Sequence, residues 1–418
     1  MHYAFLGSPV PAAVLLIAAC SSAFAAVTLP ALFSDHMVLQ CDKPIPIWGS
    51  ATPGEKVQVL LADRRAETAA DVDGKWRVDL APLPAGGPFT LTVKGRNTVK
   101  VADVLVGEVW VCSGQSNMEW PVSRALNATN EIAQADHPSI RLFIVRRHAA
   151  ETPQEQCVGQ WRVCSPKTVP GFSAVGYFFG RDVHGKTGAP VGLIEAAWSA
   201  TALEVWTDSE TVRDNGAFSE YRAWWGRTLE IYKARASASL EVYKRDAEEW
   251  PKRAAEAKAK GEPPPPKPLP PLPDYCYPSR LFNGMIFPLV PFAIRGVIWY
   301  QGEANTARAD DYRRCFPAMI RGWRRLWKQG DFPFLFVQLA NFGPQAPDPG
   351  PSAWAALRDA QRDALQVPHT GMAVAIDVGL ADNVHPPNKQ EVGRRLALLA
   401  LNKVYGHNVP CMGPFYRA

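Results

Sequence analysis

From residue 104 onward, short apolar runs alternate with segments of helical pattern, and that alternation constrains the chain more than any other feature. Runs 104–111, 141–145, 191–197, 295–300, 334–339 and 372–376 have the near-continuous apolar character of strands buried on both faces. Stretches 174–186, 311–328, 353–366 and 388–405 between and after them are patterned as helices. In the last of these, Val392, Leu396, Leu399 and Val404 make one apolar face, and Asn388 with Glu391 three residues on predicts the N-terminal cap. Such β-α alternation predicts an α/β fold built on an open parallel sheet, with functional groups gathered beyond the carboxyl ends of the strands.

Residues 26–105 have a different texture. Short alternations such as Val57-Gln-Val-Leu60, Trp76-Arg-Val-Asp-Leu80 and Phe89-Thr-Leu-Thr-Val93 are separated by turn signals such as Asp73-Gly74. They predict an N-terminal small β-sandwich without a titratable cluster. Residues 106–418 then form the α/β domain, interrupted at 210–277 by a helix-prone charged stretch and a proline-rich one. Both halves of that segment predict a surface insertion near the rim of the site.

The first 25 residues read as a secretory signal peptide. Their apolar run, 10–19, is too short to span a bilayer and is followed by the small-x-small site Ala23-Phe-Ala25. This predicts a secreted or periplasmic protein. In a second reading, Ile17-Ala-Ala-Cys20 is a lipoprotein box and Cys20 carries a lipid anchor. No other run predicts a transmembrane segment. In an exported chain cysteines can oxidise, and Cys157 with Cys164 is the closest pair. No Cys/His cluster has zinc spacing, and a net charge of +5 over 418 residues gives no nucleic-acid signature.

The chemistry begins where the run ending at Val111 meets Cys112-Ser-Gly-Gln-Ser116-Asn-Met-Glu-Trp120. A serine at a sharp strand-to-helix turn serves as a nucleophile or as an ordinary helix cap, and this stretch alone leaves both open. A nucleophilic serine needs a base, and the base needs an orienting acid. Asp382-x-x-His385 follows the last predicted strand, so His385 is the candidate base and Asp382 the candidate acid. A third strand end carries Trp299-Tyr-Gln-Gly-Glu303-Ala-Asn305. There Gln301 is a candidate oxyanion donor, Glu303 a candidate substrate contact, and Gly302 would let backbone approach a ligand. A hydrogen-bonded loop that only supports the sheet is the alternative.

Together the blocks Gly114-Gln-Ser-Asn-Met118, Trp299-Tyr-Gln-Gly-Glu303 and Asp382-x-x-His385-Pro386 resemble the sialate O-acetylesterase family of SGNH-type hydrolases. Phe33-Ser-Asp-His-Met-Val-Leu-Gln40 and Leu281-Phe-Asn-Gly-Met285 look like the same family. The resemblance implies a three-layer SGNH-hydrolase-like sheet and a Ser116–His385–Asp382 triad, with no metal or other cofactor. It implies an exported serine esterase that removes O-acetyl groups from sialic acid, with acetylated xylan as an alternative substrate. A sugar-binding protein that has lost catalysis is the remote alternative. The Ser116 amide is the first expected oxyanion donor, and Gln115 and Asn117 flank it as further oxyanion or substrate candidates. Where the family usually has Trp-Gly-Gly-Thr, this chain has Trp198-Ser-Ala-Thr201. The second backbone donor expected there is Ser199 or Ala200, and side chains replace two glycines beside the ester. The family also usually continues into further β-structure past the point where Cys411-Met-Gly-Pro-Phe-Tyr416 stands.

Overall fold

The computed structural model describes residues 26–345, 347–348 and 350–413. Residues 1–25, where a signal peptide or a lipid anchor at Cys20 is expected, lie outside the described residues. Strands β1 (Val38–Gln40), β2 (Ile45–Ser50), β3 (Lys56–Leu61), β4 (Arg64–Ala69), β5 (Lys75–Leu80) and β6 (Gly86–Lys94) precede the long strand β7 (Thr98–Gly114). β2 pairs antiparallel with β5, β3 with β4 and β6, and β6 with the start of β7, whereas β1 runs parallel to β7, with Val38 opposite Leu105. In β5, Trp76, Val78 and Leu80 point inward while Lys75, Arg77 and Asp79 point to solvent, the signature of a half-buried strand.

β7 changes partners along its length. Its first half runs antiparallel to β6, and from Glu108 to Gly114 it lies in the middle of a second sheet. That sheet adds β8 (His137–Ile144), β9 (Trp161–Cys164), β10 (Val191–Ala197), β11 (Gly296–Tyr300), β12 (Phe334–Val337) and β13 (Thr370–Ala373). Its order is β13-β12-β11-β7-β10-β8-β9, parallel except for the antiparallel edge strand β9. The central strands β7, β10 and β11 are apolar on both faces because helices cover both.

The helices are α1 (Ser116–Glu119), α2 (Ala128–Ala133), α3 (Ala174–Thr187), α4 (Ser209–Asp214), α5 (Ser219–Arg235), α6 (Leu240–Ala259), α7 (Ala309–Trp327), α8 (Ala353–Asp363) and α9 (Lys389–Lys403). Register shows how two layers of them arise. Trp299 is the partner of Ser113, three residues from Trp110, so with a side-chain period of two the tryptophans leave opposite faces. Trp110 packs edge-on against Phe179 of α3, whereas Trp299 packs against Phe316 and Trp323 of α7. The Asn388 side chain accepts from Glu391 N at 3.2 Å and caps α9.

Within the insertion, the charged stretch forms two helices, α5 and α6, divided before Ser239, whose hydroxyl caps α6. The prolines that follow fold back along them. Ser237 N donates to Leu269 O, and Trp250 Nε1 donates to Pro265 O, both at 2.9 Å. Tyr275, at the end of this excursion, packs on Trp198 with ring centroids 5.0 Å apart. Cys157 and Cys164, the closest pair in sequence, are not bonded to each other. Both are buried free thiols, and Cys164 Sγ turns instead toward Ala135 O.

Candidate functional site

The turn after β7 is dictated by one glycine. Gly114 has φ +140°, and a Cβ there would meet Tyr300 O at 2.1 Å, so a side chain is excluded twice over. Gln115 N donates to the same carbonyl at 3.0 Å, and the chain passes at once into α1 with Ser116 as its first residue. Ser116 is therefore held at the carboxyl edge of the sheet, partly exposed. As the first residue of a helix, it has an N–H with no acceptor inside that helix. It lines a cleft of about 470 Å³ together with His385, Trp120, Arg124, Arg147 and Ser199. A separate groove of about 330 Å³ lies by Trp48 and Trp76 on the β-sandwich, without a serine–histidine pair.

His385 stands across this cleft. Its ring stacks on Trp120 with centroids 5.0 Å apart and planes inclined by 19°. Burial first, then the charges of Lys389 and Arg124, hold the imidazole below its ordinary pKa. That favours the neutral form, which a general base requires. Asp382 is exposed, and no hydrogen bond joins it to His385, or His385 to Ser116, among the described residues. The fold thus brings Ser116 and His385 to one cleft and leaves Asp382 outward on the adjoining loop.

Most of the expected oxyanion and substrate side chains are buried scaffolding instead. Gln301 is fully buried, and its amide nitrogen donates to Thr201 O and to Asn305 Oδ1, at 3.2 and 2.7 Å, so neither donor faces the cleft. Gln115 is also buried, and its Oε1 accepts from Gly302 N and Ala304 N. Gly302 approaches no ligand surface: its absent Cβ would strike Leu357 of α8 at 2.8 Å. Asn117, 1 % exposed, donates to Glu303 Oε1 at 2.5 Å and to Val384 O at 2.9 Å. Asn117 therefore ties the Ser116 turn to the His385 loop. Glu303 faces that asparagine, with Oε2 buried and unpaired, rather than the cleft.

The Trp198–Thr201 turn departs further from expectation. Ser199 N and Oγ both donate to Glu119 Oε2, at 3.0 and 2.5 Å, so its N–H is already engaged. Glu119 in turn pairs with Arg147. Ala200 is exposed, has φ +58°, and its N–H has no acceptor among the described residues. Of the two backbone donors considered there, Ala200 is the free one. Side chains of Trp120 and Trp198 border this region, while Trp206 is wholly buried in the core.

Two titratable groups escaped the sequence reading. Lys389 is 0 % exposed, donates to Asn117 Oδ1 at 2.5 Å and forms no ion pair among the described residues. Burial lowers its pKa to about 7, against the opposing pull of Glu303, whose own carboxyl burial raises. The available clue was a cation in the first turn of a helix, where the macrodipole disfavours it. Glu195 lines the cleft from β10 and accepts from Ser173 N at 2.7 Å. Burial raises its pKa to about 8, so it is largely protonated at neutral pH. Its clue was a lone carboxylate inside the otherwise apolar run 191–197.

A three-layer α/β sheet with serine and histidine sharing a cleft beyond its carboxyl edge defines the class of the protein: a carboxylic ester hydrolase. A family model described as carbohydrate esterase, sialic acid-specific acetylesterase, matches residues 106–234 and 283–402. Mouse sialate O-acetylesterase is 32% identical over 447 aligned positions, spanning 97% of this chain and 79% of its own. The human sialate O-acetylesterase is 31% identical, spanning 91% of this chain and 72% of its own. A carbohydrate acetylesterase from Xanthomonas citri, known from its crystal structure, superposes with a TM-score of 0.76 at 36% identity, over 93% of this chain and 77% of that one. The chain belongs to the sialic acid-specific acetylesterase family of carbohydrate esterases, and its reaction is O-acetyl ester hydrolysis.

Proposed function

We propose that this protein is an exported serine esterase that removes O-acetyl groups from sialic acid. Ser116 Oγ attacks the acetyl carbonyl carbon while His385 takes its proton. The Ser116 and Ala200 N–H groups receive the developing oxyanion. Collapse breaks the bond between the acetyl carbon and the sugar oxygen, and the proton on His385 goes to that oxygen. Water, deprotonated by His385, then attacks the acetyl-serine carbonyl carbon, the bond from that carbon to Ser116 Oγ breaks to release acetate, and the proton on His385 returns to Oγ. Asp382 turns its exposed carboxylate onto the imidazole and steadies the cation that forms. The observation that carries this reading is the placing of Ser116 and His385 on one cleft, with the imidazole held toward its neutral form. Export rests on the leader sequence.

The test is acetate release from O-acetylated sialic acid and from acetylated xylan by the mature protein and by Ser116→Ala. Release from the sialic acid, abolished in the variant, is the expected result. Serine-dependent release from xylan alone would replace the substrate and keep the mechanism. Release that survives Ser116→Ala would refute the nucleophile.

A further inference from the structure

Two arginines line the cleft, and they are not equivalent. Arg147 is already matched with a carboxylate of the chain, donating through Nε and Nη2 to Glu119 Oε1. Arg124 is exposed and has no ion pair among the described residues. Its guanidinium carbon sits 4.0 Å from the centroid of the Trp120 ring, the same ring that stacks on His385. Trp120 is itself fixed, since its Nε1 donates to Arg124 O at 2.8 Å. A stacked guanidinium loses little freedom when it binds, and its edge still offers a planar fork of donors suited to a carboxylate. The result is a pre-positioned cation at the wall of the cleft that Ser116 also lines, stacked on the ring that meets the candidate base.

We infer that Arg124 is a specificity-determining residue that binds the carboxylate of an acidic O-acetylated sugar while its acetyl group lies at Ser116. This rests on the ester-hydrolase reading of the cleft and extends it from the acetyl group to the charge of the sugar. Arg147 cannot serve equally, because freeing it would strand Glu119 beside Ser199. A neutral acetylated polysaccharide would leave Arg124 unmatched and gain nothing from it.

The informative comparison is between O-acetylated N-acetylneuraminic acid and its methyl ester, which carries the same acetyl group without the charge. The wild-type protein is expected to show a KM for the acid about tenfold or more below that for the methyl ester, the scale of a charge-assisted hydrogen bond. Arg124→Gln should bring the two KM values together, and Arg124→Lys should restore part of the difference. Equal KM values in the wild type, or a preference that survives Arg124→Gln, would overturn the inference. Calorimetry with deacetylated N-acetylneuraminic acid and the Ser116→Ala protein separates this from the parent reading. Binding there that Arg124→Gln weakens supports the carboxylate contact, and binding that is absent or indifferent to Arg124→Gln refutes it. Failure of Ser116-dependent hydrolysis on every ester would instead refute the esterase mechanism.

Discussion

Lys389→Met isolates the buried ammonium beneath the Ser116 turn, because methionine retains most of the apolar stem and removes the charge. In the folded protein Lys389 titrates near pH 7, and in the unfolded chain at its ordinary value of 10.5. Between those values the unfolded chain holds a proton that the folded chain has released. Stability therefore rises with pH across that window, by about 1.4 kcal/mol per unit once the two states differ by a full proton. At pH 7 the folded group is still half protonated, so the gain from pH 7 to pH 9 comes to about 2 kcal/mol. Methionine lacks this increment. Urea unfolding of both proteins at the two pH values measures it, as a change in midpoint at constant slope. The wild type should gain about 2 kcal/mol on the variant between pH 7 and pH 9. If the two proteins keep a constant difference, the reasoning fails, and Lys389 must retain its proton through Glu303 across the whole range.

Two further outcomes are expected. Ala200→Gly should stabilise the protein by about 0.5 kcal/mol, since the left-handed conformation costs an alanine about 1 kcal/mol and glycine's freedom in the unfolded chain returns part of that. Ala200→Val, with a branched Cβ at the same φ, should be destabilising, and thermal melts that rank valine above glycine would contradict the strain. Asp382→Asn should lower kcat by roughly 10²–10⁴ with little change in KM if the side chain turns onto His385 during catalysis. A fall of less than about threefold would reduce the site to Ser116 and His385 acting without it.

Much of the frame was legible in the chain. Unbroken apolar runs mark strands buried on both sides, so β10 falls at 191–197 as the run predicts, and β11 and β12 lie within theirs. Asn388 and Glu391 fix the start of α9 because a cap is a local hydrogen bond. The edge strand β9 was not legible: with only four residues, its pairing with β8 is a tertiary event. Within the site, the placing of Ser116 after one predicted strand and of His385 in the loop after another follows from local pattern. The roles of Gln115, Asn117 and Gln301 do not, because a polar residue one position along a turn faces either the cleft or the core.

By itself, then, the sequence predicted the layers and put Ser116 and His385 after predicted strands, since each is written in nearest-neighbour chemistry and periodicity. The last strand, predicted at 372–376, lies at Thr370–Ala373. The tertiary structure alone decided which polar side chains border the cleft and which brace the turn. Lys389 of α9, Asn117 of α1 and Glu303 after β11 converge from distant parts of the chain beneath Ser116. Their burial, and hence their charge state, exists only when the strands and helices that carry them are packed together.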